Sequence, residues 1–179
     1  CYLRTKISYA NMVGEVMISS GMEDEVDIVL SAIGSDSRVG SKYLKYGYGF
    51  GGPCLPRDNR AFAAFASKLG MKYNLGETTD NFNNEHSKFL KDYFIKQNKD
   101  NLPFCFDYIS YKKGTDILTE SQQYRLCLDL LDNGYKVYVI EQKCIVEQIY
   151  DKLYAQYPSQ IIFLYDEENL PQHVFRIKL

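Results

Sequence analysis

The sequence of 179 residues contains no tryptophan, only two histidines and no pair of cysteines with C-x-x-C spacing. Neither His86 nor His173 lies near a cysteine in the chain, which argues against a zinc site. The cysteines are odd in number and scattered, a pattern typical of free thiols in a reducing compartment. We therefore predict a cytoplasmic protein without a metal centre. The cysteines stand at positions 1, 54, 105, 127 and 144.

Long hydrophobic runs and an excess of positive charge are also absent. No apolar stretch approaches the roughly 20 residues that a membrane span needs. The 21 Lys and Arg residues are balanced by 23 Asp and Glu residues, which gives a net charge of −2. The sequence thus predicts neither a membrane nor a nucleic-acid partner. Because it begins at Cys1, inside amphipathic sequence that is not a signal peptide, we expect that an N-terminal part is missing.

The first half of the sequence has the period of amphipathic helices. Apolar residues recur at steps of three and four over 2–20, 23–33 and 77–98. Asp58 stands where the N-cap of a further helix over 61–69 is expected. The polar segment 98–103 follows, and we expect the domain boundary there.

The second half alternates between two periods. Short β-rich runs predict strands, and the amphipathic segments between them predict helices. The strands are expected at 103–110, 136–141, 161–164 and 173–179, and the helices at 121–132 and 145–157. Short connections between such elements predict a parallel sheet with right-handed crossovers. The fold class is therefore α + α/β, with a helical domain over 1–97 and an α/β domain over 103–179.

Residues 49–58, GFGGPCLPRD, combine glycines with a cysteine. Glycines let backbone amides approach a ligand closely, and Cys54 follows them directly. A helix N-terminus and Arg57 would favour the thiolate, while Asp58 could hold a proton or orient a water molecule. This combination suits covalent attack on a carbonyl group, although the spacing alone is equally compatible with a structural turn around an inert, buried cysteine. The pattern G-x-x-x-x-G-K-[ST] does not occur, so a phosphate loop of that type is excluded.

The same ten residues closely resemble the active-site loop of the UDP-glucose/GDP-mannose dehydrogenase family. Four further segments resemble motifs of that family in the same order, and together the motifs are distributed along nearly the whole chain. They are KISYAN (6–11), DSRVG (36–40), YKKGTDILTES (111–121) and LLDNGYKVYVIE (130–141). The resemblance implies a helical central dimerisation domain, with a homodimer through residues 2–20. It also implies a Rossmann-like UDP-binding domain over 103–179, which we expect to be truncated.

The resemblance further implies an activity. Members of the family oxidise the C6 alcohol of a nucleotide sugar to a carboxylate with two NAD molecules per sugar. Hydride transfer gives an aldehyde, which Cys54 would attack to form a thiohemiacetal. A second hydride transfer would give a thioester, and water would hydrolyse it. UDP-glucose, UDP-N-acetylhexosamines and GDP-mannose all undergo this chemistry, so the sugar is left open.

Individual roles carry over by position. Asp58 matches an acid/base or water-positioning group of the family. The positions that match substrate-binding residues are Arg38, Tyr43, Phe50, Gly51, Gly52 and Lys112. Arg38 matches an arginine that reaches the substrate of the neighbouring subunit, and Lys112 matches a lysine near the uridine diphosphate. A diphosphate needs such cations, and Lys45 and Arg57 are further candidates.

The match fails at several positions. The family's R-E-S arginine, which helps to hold NAD, is Thr119 here, and the second Asp of its T-D-D is Ile117. Pro53 stands where the family often has serine. The family's Rossmann domain for NAD has no counterpart in the sequence, so most of the cofactor site is expected outside it. Its late D-G-R segment has none either, since we do not equate Arg176 with it.

Three hypotheses therefore compete. The first is the central and C-terminal part of an active dehydrogenase, and the retained Cys54 and Asp58 favour it. The second is a non-catalytic nucleotide-sugar-binding or dimerisation module, which Thr119 and the lack of a cofactor domain favour. The third, an unrelated cysteine-dependent acyl transferase, is opposed by the ordered motifs. We adopt the first and expect that these 179 residues alone do not turn over.

Overall fold

The computed structural model describes all residues from 1 to 179, which form two compact units. The first unit comprises Cys1–Phe89 together with Leu179, and the second comprises Leu90–Lys178. The division falls inside a helix, whereas the sequence placed a boundary in the polar segment 98–103. No helix combines the length and the apolar composition that a membrane span needs.

The first unit is helical. Helix α1 covers Tyr2–Ser19, a 3-10 turn at Glu23–Glu25 leads into α2 at Val26–Ser35, and α3 covers Leu55–Lys68. Helix α4, Leu75–Gln97, begins in this unit and continues into the second. The segment 36–54 between α2 and α3 contains no helix or strand, as its glycines predict.

The start of α3 corrects one prediction. The helix begins at Leu55 with Cys54 as its N-cap residue, so Asp58 lies within the first turn and is not the cap. The amide of Asp58 already donates the first helical hydrogen bond, to the carbonyl of Cys54 at 3.0 Å. Pro56 is compatible with this earlier start, because a helix's first turn does not need its missing N–H.

The buried face of α1 differs from its apolar stripe. Ala10 and Met17 join a small apolar core that also contains residues of α2 and of the following loop. Leu3, which belongs to the apolar stripe, is partly exposed, while Arg4 and Asn11 are buried. Asn11 is bonded to the loop that precedes α3, and Arg4 is bonded to the first residue of α3, which explains why these two polar side chains are buried.

The second unit is an α/β layer structure with four parallel strands. They are β1 at Phe104–Phe106, β2 at Val137–Ile140, β3 at Ile161–Leu164 and β4 at Phe175–Arg176, in the order β3-β2-β1-β4. Helix α5, Gln122–Asp132, and helix α6, Lys143–Gln156, connect β1 to β2 and β2 to β3. The predicted α + α/β fold class is thus confirmed.

The core of the second unit lies around β1 and β2. Phe104, Phe106 and Val137 are almost completely buried, as expected of strands covered on both faces. Two cysteines belong to this core and are chemically protected there. Burial raises the pKa of the Cys105 thiol to about 11, and it raises the pKa of the Cys127 thiol further.

Glu141 fixes the loop that follows β1. Its buried carboxylate accepts hydrogen bonds from the amides of Ile109 at 2.9 Å and Ser110 at 3.0 Å, and from that of Gln142 at 2.9 Å. The hydroxyl of Ser121 donates to the Ile109 carbonyl at 2.6 Å. These bonds turn the chain out of the sheet, which explains why β1 ends at Phe106 rather than at the predicted residue 110.

We predict that Glu141→Ala lowers the free energy of unfolding by about 3 kcal/mol, because the substitution leaves buried amides without a charged acceptor. Urea denaturation followed by circular dichroism measures the change. Glu147→Ala is the matched control, since Glu147 forms only an exposed pair with Lys143 on α6 and should leave stability unchanged. Equal effects of the two substitutions would contradict the role of Glu141.

Candidate active site

The glycine-rich loop from Gly47 to Cys54 is held in one conformation by its surroundings. Gly52 has a φ of 79°, which is strained for any residue with a Cβ. Gly49 lies against the side chain of Asn83, and a Cβ at position 49 would overlap with the Asn83 Oδ1. The glycines therefore serve two purposes: one permits a left-handed turn, and the other permits close contact with α4.

Cys54 is exposed at the end of this loop. As the N-cap residue of α3, it lies at the positive end of a helix of 14 residues. The backbone of the next residue is also fixed, because the Nε of the buried Arg4 donates to the Leu55 carbonyl at 2.6 Å. Cys54 is thus accessible to a small molecule while the backbone around it is anchored.

Asp58 and Arg57 lie within one helical turn of Cys54, as predicted, but they pair with each other. The Arg57 Nε donates to the Asp58 carboxylate at 3.0 Å. The hydrogen bond to Asp58 raises the pKa of the Arg57 guanidinium, and the nearby Cys54 contributes in the same direction. The geometry therefore brings a thiol, a carboxylate and a cation together at the start of one helix.

Arg38 is on the exposed loop after α2. Its Nη2 lies 2.6 Å from the Asp36 carboxylate, and its side chain is 87% exposed. The hydrogen bonds from Arg38 lower the pKa of the Asp36 carboxyl group. Lys6 of α1 fixes the same loop by donating to the carbonyls of Val39 at 3.0 Å and Gly40 at 2.9 Å.

The other predicted substrate residues of the first unit differ in exposure. Tyr43 is exposed and has a φ of 63°, and Lys45 is also exposed. The side chain of Phe50 is buried, and its backbone is bonded to Asn83. Gly51 is half-buried and Gly52 is buried.

The second unit has its own candidate positions. Lys112 is exposed on the loop that follows β1. In a parallel sheet of this order, the strand sequence reverses beside β1, and ligands of open α/β sheets bind at such switch points. Arg176, at the end of β4, is paired with Asp107 at 3.2 Å and with Glu167 at 2.6 Å.

Thr119, which the sequence resemblance places at the position of the family's NAD-binding arginine, is exposed and uncharged. It offers no cation to a dinucleotide phosphate. Position 119 therefore does not offer the charged contact with NAD that the resemblance implies.

Sequence reasoning missed the polar side chains that hold the loop. Asn11, Asn83 and His86 contact the loop directly, and Glu15 contacts His86. Asn11 and Glu15 lie four residues apart on α1, and Asn83 and His86 lie three residues apart on α4. The available signal was their spacing, because residues three or four apart share one face of a helix. Polar residues on a face that is otherwise expected to be buried indicate hydrogen bonds to another segment.

Comparisons with known proteins show which family this chain resembles. Residues 1–85 match the model of the UDP-glucose/GDP-mannose dehydrogenase family, central domain. The chain is 31% identical over 137 residues to UDP-glucose 6-dehydrogenase AglM of Haloferax volcanii, and 26% identical over 140 residues to GDP-mannose 6-dehydrogenase of Pseudomonas putida. These alignments cover 76% and 77% of this chain, but only 31% of each relative.

The fold comparison gives the same result. A UDP-glucose dehydrogenase structure from Pyrobaculum islandicum superposes with a TM-score of 0.71 at 26% identity, over 92% of this chain and 37% of that one. The chain thus spans about a third of the length of the proteins that it resembles. The matched segment 1–85 includes Cys54 and the loop that carries it. Residues 1–85 therefore belong to the central domain of the UDP-glucose/GDP-mannose dehydrogenase family, and the similarity to members of that family extends over most of the chain.

Proposed function

We propose that this chain is the central and C-terminal part of an NAD-dependent nucleotide-sugar 6-dehydrogenase that converts the C6 alcohol of a UDP-sugar to a uronic acid. One observation carries the proposal. Cys54 is exposed as the N-cap residue of α3, directly after a glycine-rich loop and one turn before Asp58. The family similarity of the segment that contains these residues supports it.

The proposed chemistry of this site is covalent. The Cys54 sulfur attacks the C6 aldehyde, an S–C bond forms, and the carbonyl π electrons move to oxygen, which takes a proton to complete the thiohemiacetal. Asp58 holds or returns the proton that the thiol loses and the oxygen gains. The N-terminus of α3 favours the negative charge that passes through this region.

Substrate contacts are proposed residue by residue. Arg38 supplies a cation to the substrate of a neighbouring subunit, Lys112 supplies a cation to a diphosphate, and Tyr43 supplies an aromatic surface. Both main-chain polar groups of Phe50 are bonded to Asn83, so we assign the backbone contact with the sugar to Gly51 and Gly52. The oxidation steps need NAD, and because Thr119 does not fit a dinucleotide phosphate, we assign only the sugar-side chemistry to these residues.

A second candidate function is favoured by Thr119 alone. A chain that has lost the cofactor contact but retained the loop would bind nucleotide sugars without oxidising them. Binding is common to both candidates, whereas loss of turnover on substitution of Cys54 is expected only of the dehydrogenase.

We predict that a nucleotide sugar protects Cys54 from alkylation. At a ligand concentration ten times the dissociation constant, iodoacetamide should modify Cys54 about tenfold more slowly, because only about a tenth of the sites are then empty. Peptide mass spectrometry measures the rate for each cysteine in a panel of UDP-glucose, UDP-N-acetylglucosamine and GDP-mannose. Exposed Cys144 is the internal control. Unchanged Cys54 rates with every ligand would refute the proposed site.

We further predict that Cys54→Ser abolishes formation of the sugar acid in a protein that contains this chain and binds NAD. Serine is a far weaker nucleophile at neutral pH, so the covalent intermediate does not form. Chromatography of the uronic acid product measures the effect, and Cys144→Ser should retain full activity. Turnover by the Cys54→Ser protein at the original rate would exclude the covalent mechanism.

We also propose a homodimer through α1. The outer face of the helix supports this, because it exposes large apolar side chains at steps of three, four and seven residues. These are Tyr2, Tyr9, Met12 and Val16. Such a stripe on a helix whose opposite face is already buried suits contact with a second protein surface.

We predict that Val16→Glu converts the dimer into a monomer, because it places a charge in the middle of the apolar stripe. Light scattering coupled to size-exclusion chromatography at micromolar concentration should give twice the 20.7 kDa chain mass for the unmodified protein, and the chain mass for the variant. Ile28→Glu is the control, because Ile28 is a similarly exposed apolar residue on α2. A monomeric unmodified chain would contradict this interface.

A further inference from the structure

Four polar side chains on α1 and α4 have no part in the proposed chemistry. Asn11, Asn83 and His86 are almost completely buried, and Glu15 contacts His86 from α1. Burial of polar groups is costly unless each finds a hydrogen-bond partner. Their partners are, in large part, main-chain atoms of the glycine-rich loop before Cys54.

Asn83 binds the loop with both ends of its amide. Its Oδ1 accepts from the Phe50 amide at 2.8 Å, and its Nδ2 donates to the Phe50 carbonyl at 3.0 Å. The two bonds fix the orientation of the peptide groups on both sides of Phe50. The contact also requires glycine at position 49, because a Cβ there would overlap with the Asn83 Oδ1.

Asn11 and His86 bind the loop three residues earlier. The Gly47 amide donates to the Asn11 Oδ1 at 3.1 Å, and the His86 Nε2 lies 2.7 Å from the Gly47 carbonyl. Because a carbonyl can only accept, Nε2 carries a proton and donates it. The other ring nitrogen, Nδ1, is 2.6 Å from a Glu15 carboxylate oxygen. This oxygen also accepts, so the contact requires a second proton between the two atoms, and it holds the ring in this orientation.

The loop is therefore fixed at two points before Cys54. Gly47 and Phe50 are each bonded through both N–H and C=O, and only three residues separate Phe50 from Cys54. After Cys54, the Arg4 bond to Leu55 fixes the chain again. The side chain of Cys54 is thus exposed, but its backbone has little freedom.

We propose that Asn83 and His86 are positioning residues for Cys54: their bonds to Phe50 and Gly47 hold the loop in the conformation that presents the thiol to the sugar. The inference rests on the proposed function for its chemical meaning. The mechanical part, that these two side chains order the loop, is independent of any substrate.

The first test measures order in the loop by hydrogen–deuterium exchange of the 179-residue chain. In Asn83→Asp, a carboxylate oxygen faces the Phe50 carbonyl in place of the donor, so exchange in peptides covering 47–54 should be at least tenfold faster. Peptides from α2 should be unchanged. Asn81→Ala, at an exposed position on the same helix, should leave all peptides unchanged. Unchanged exchange over 47–54, or an equal increase throughout 1–89, would overturn the proposal.

The second test separates the hydrogen-bond donor from general packing at position 86. His86→Gln retains an N–H donor that can reach the Gly47 carbonyl, whereas His86→Leu fills similar space without a donor. We expect near-normal exchange over 47–54 for His86→Gln and at least tenfold faster exchange for His86→Leu. Equal behaviour of the two variants would show that the ring only fills space.

The third test links position to chemistry. In Asn83→Asp, protection of Cys54 from iodoacetamide by UDP-glucose or GDP-mannose should require at least fivefold more ligand, while Cys144 alkylation is unchanged. Full protection at the original concentration would overturn the positioning role. If the unmodified chain shows no protection at all, the proposed function fails, and the exchange tests still decide whether Asn83 and His86 order the loop.

Discussion

The hydrogen bonds between buried helix side chains and the main chain of the glycine-rich loop are the interaction on which the candidate site depends. Glycines give a chain more conformations to lose on folding than any other residue, so such a segment does not hold one shape by itself. Asn83 and Asn11 impose that shape with their buried amides. Since these amides must be paired once water is excluded, the position of the loop becomes a condition of folding the first unit.

The second unit uses the same physical solution with a different chemical group. The loop after β1 leaves the sheet at Phe106. The Glu141 carboxylate then accepts hydrogen bonds from the amides of Ile109 and Ser110, which have no partner in the sheet. A carboxylate can accept several hydrogen bonds at once, so one residue replaces several ladder contacts. In both units, a loop proposed to meet substrate is ordered by a buried side chain distant in sequence.

This arrangement explains which features were predictable from sequence. The residues around Cys54 were found because thiol, cation and carboxylate follow one another within one helical turn. Helix α1 was predicted closely, since its apolar period is a local signal. By contrast, Asn83 and Asn11 accept hydrogen bonds from backbone amides that lie 33 and 36 residues away in the sequence. Hydrophobic periodicity counts apolar residues and carries no information about such distant bonds, which is also why 103–110 was predicted as one strand.

The charges of the site bear on how it could accept a diphosphate. Arg38 is already paired with Asp36, and Arg57 with Asp58. Both pairs are largely exposed, where ion pairs contribute little because water solvates the partners almost as well. A bidentate diphosphate therefore competes easily with either carboxylate for its arginine. An anion that drew Arg57 away would also leave the Asp58 carboxylate without its nearest cation, one turn from the thiol, free to accept the proton that the proposed chemistry assigns to it.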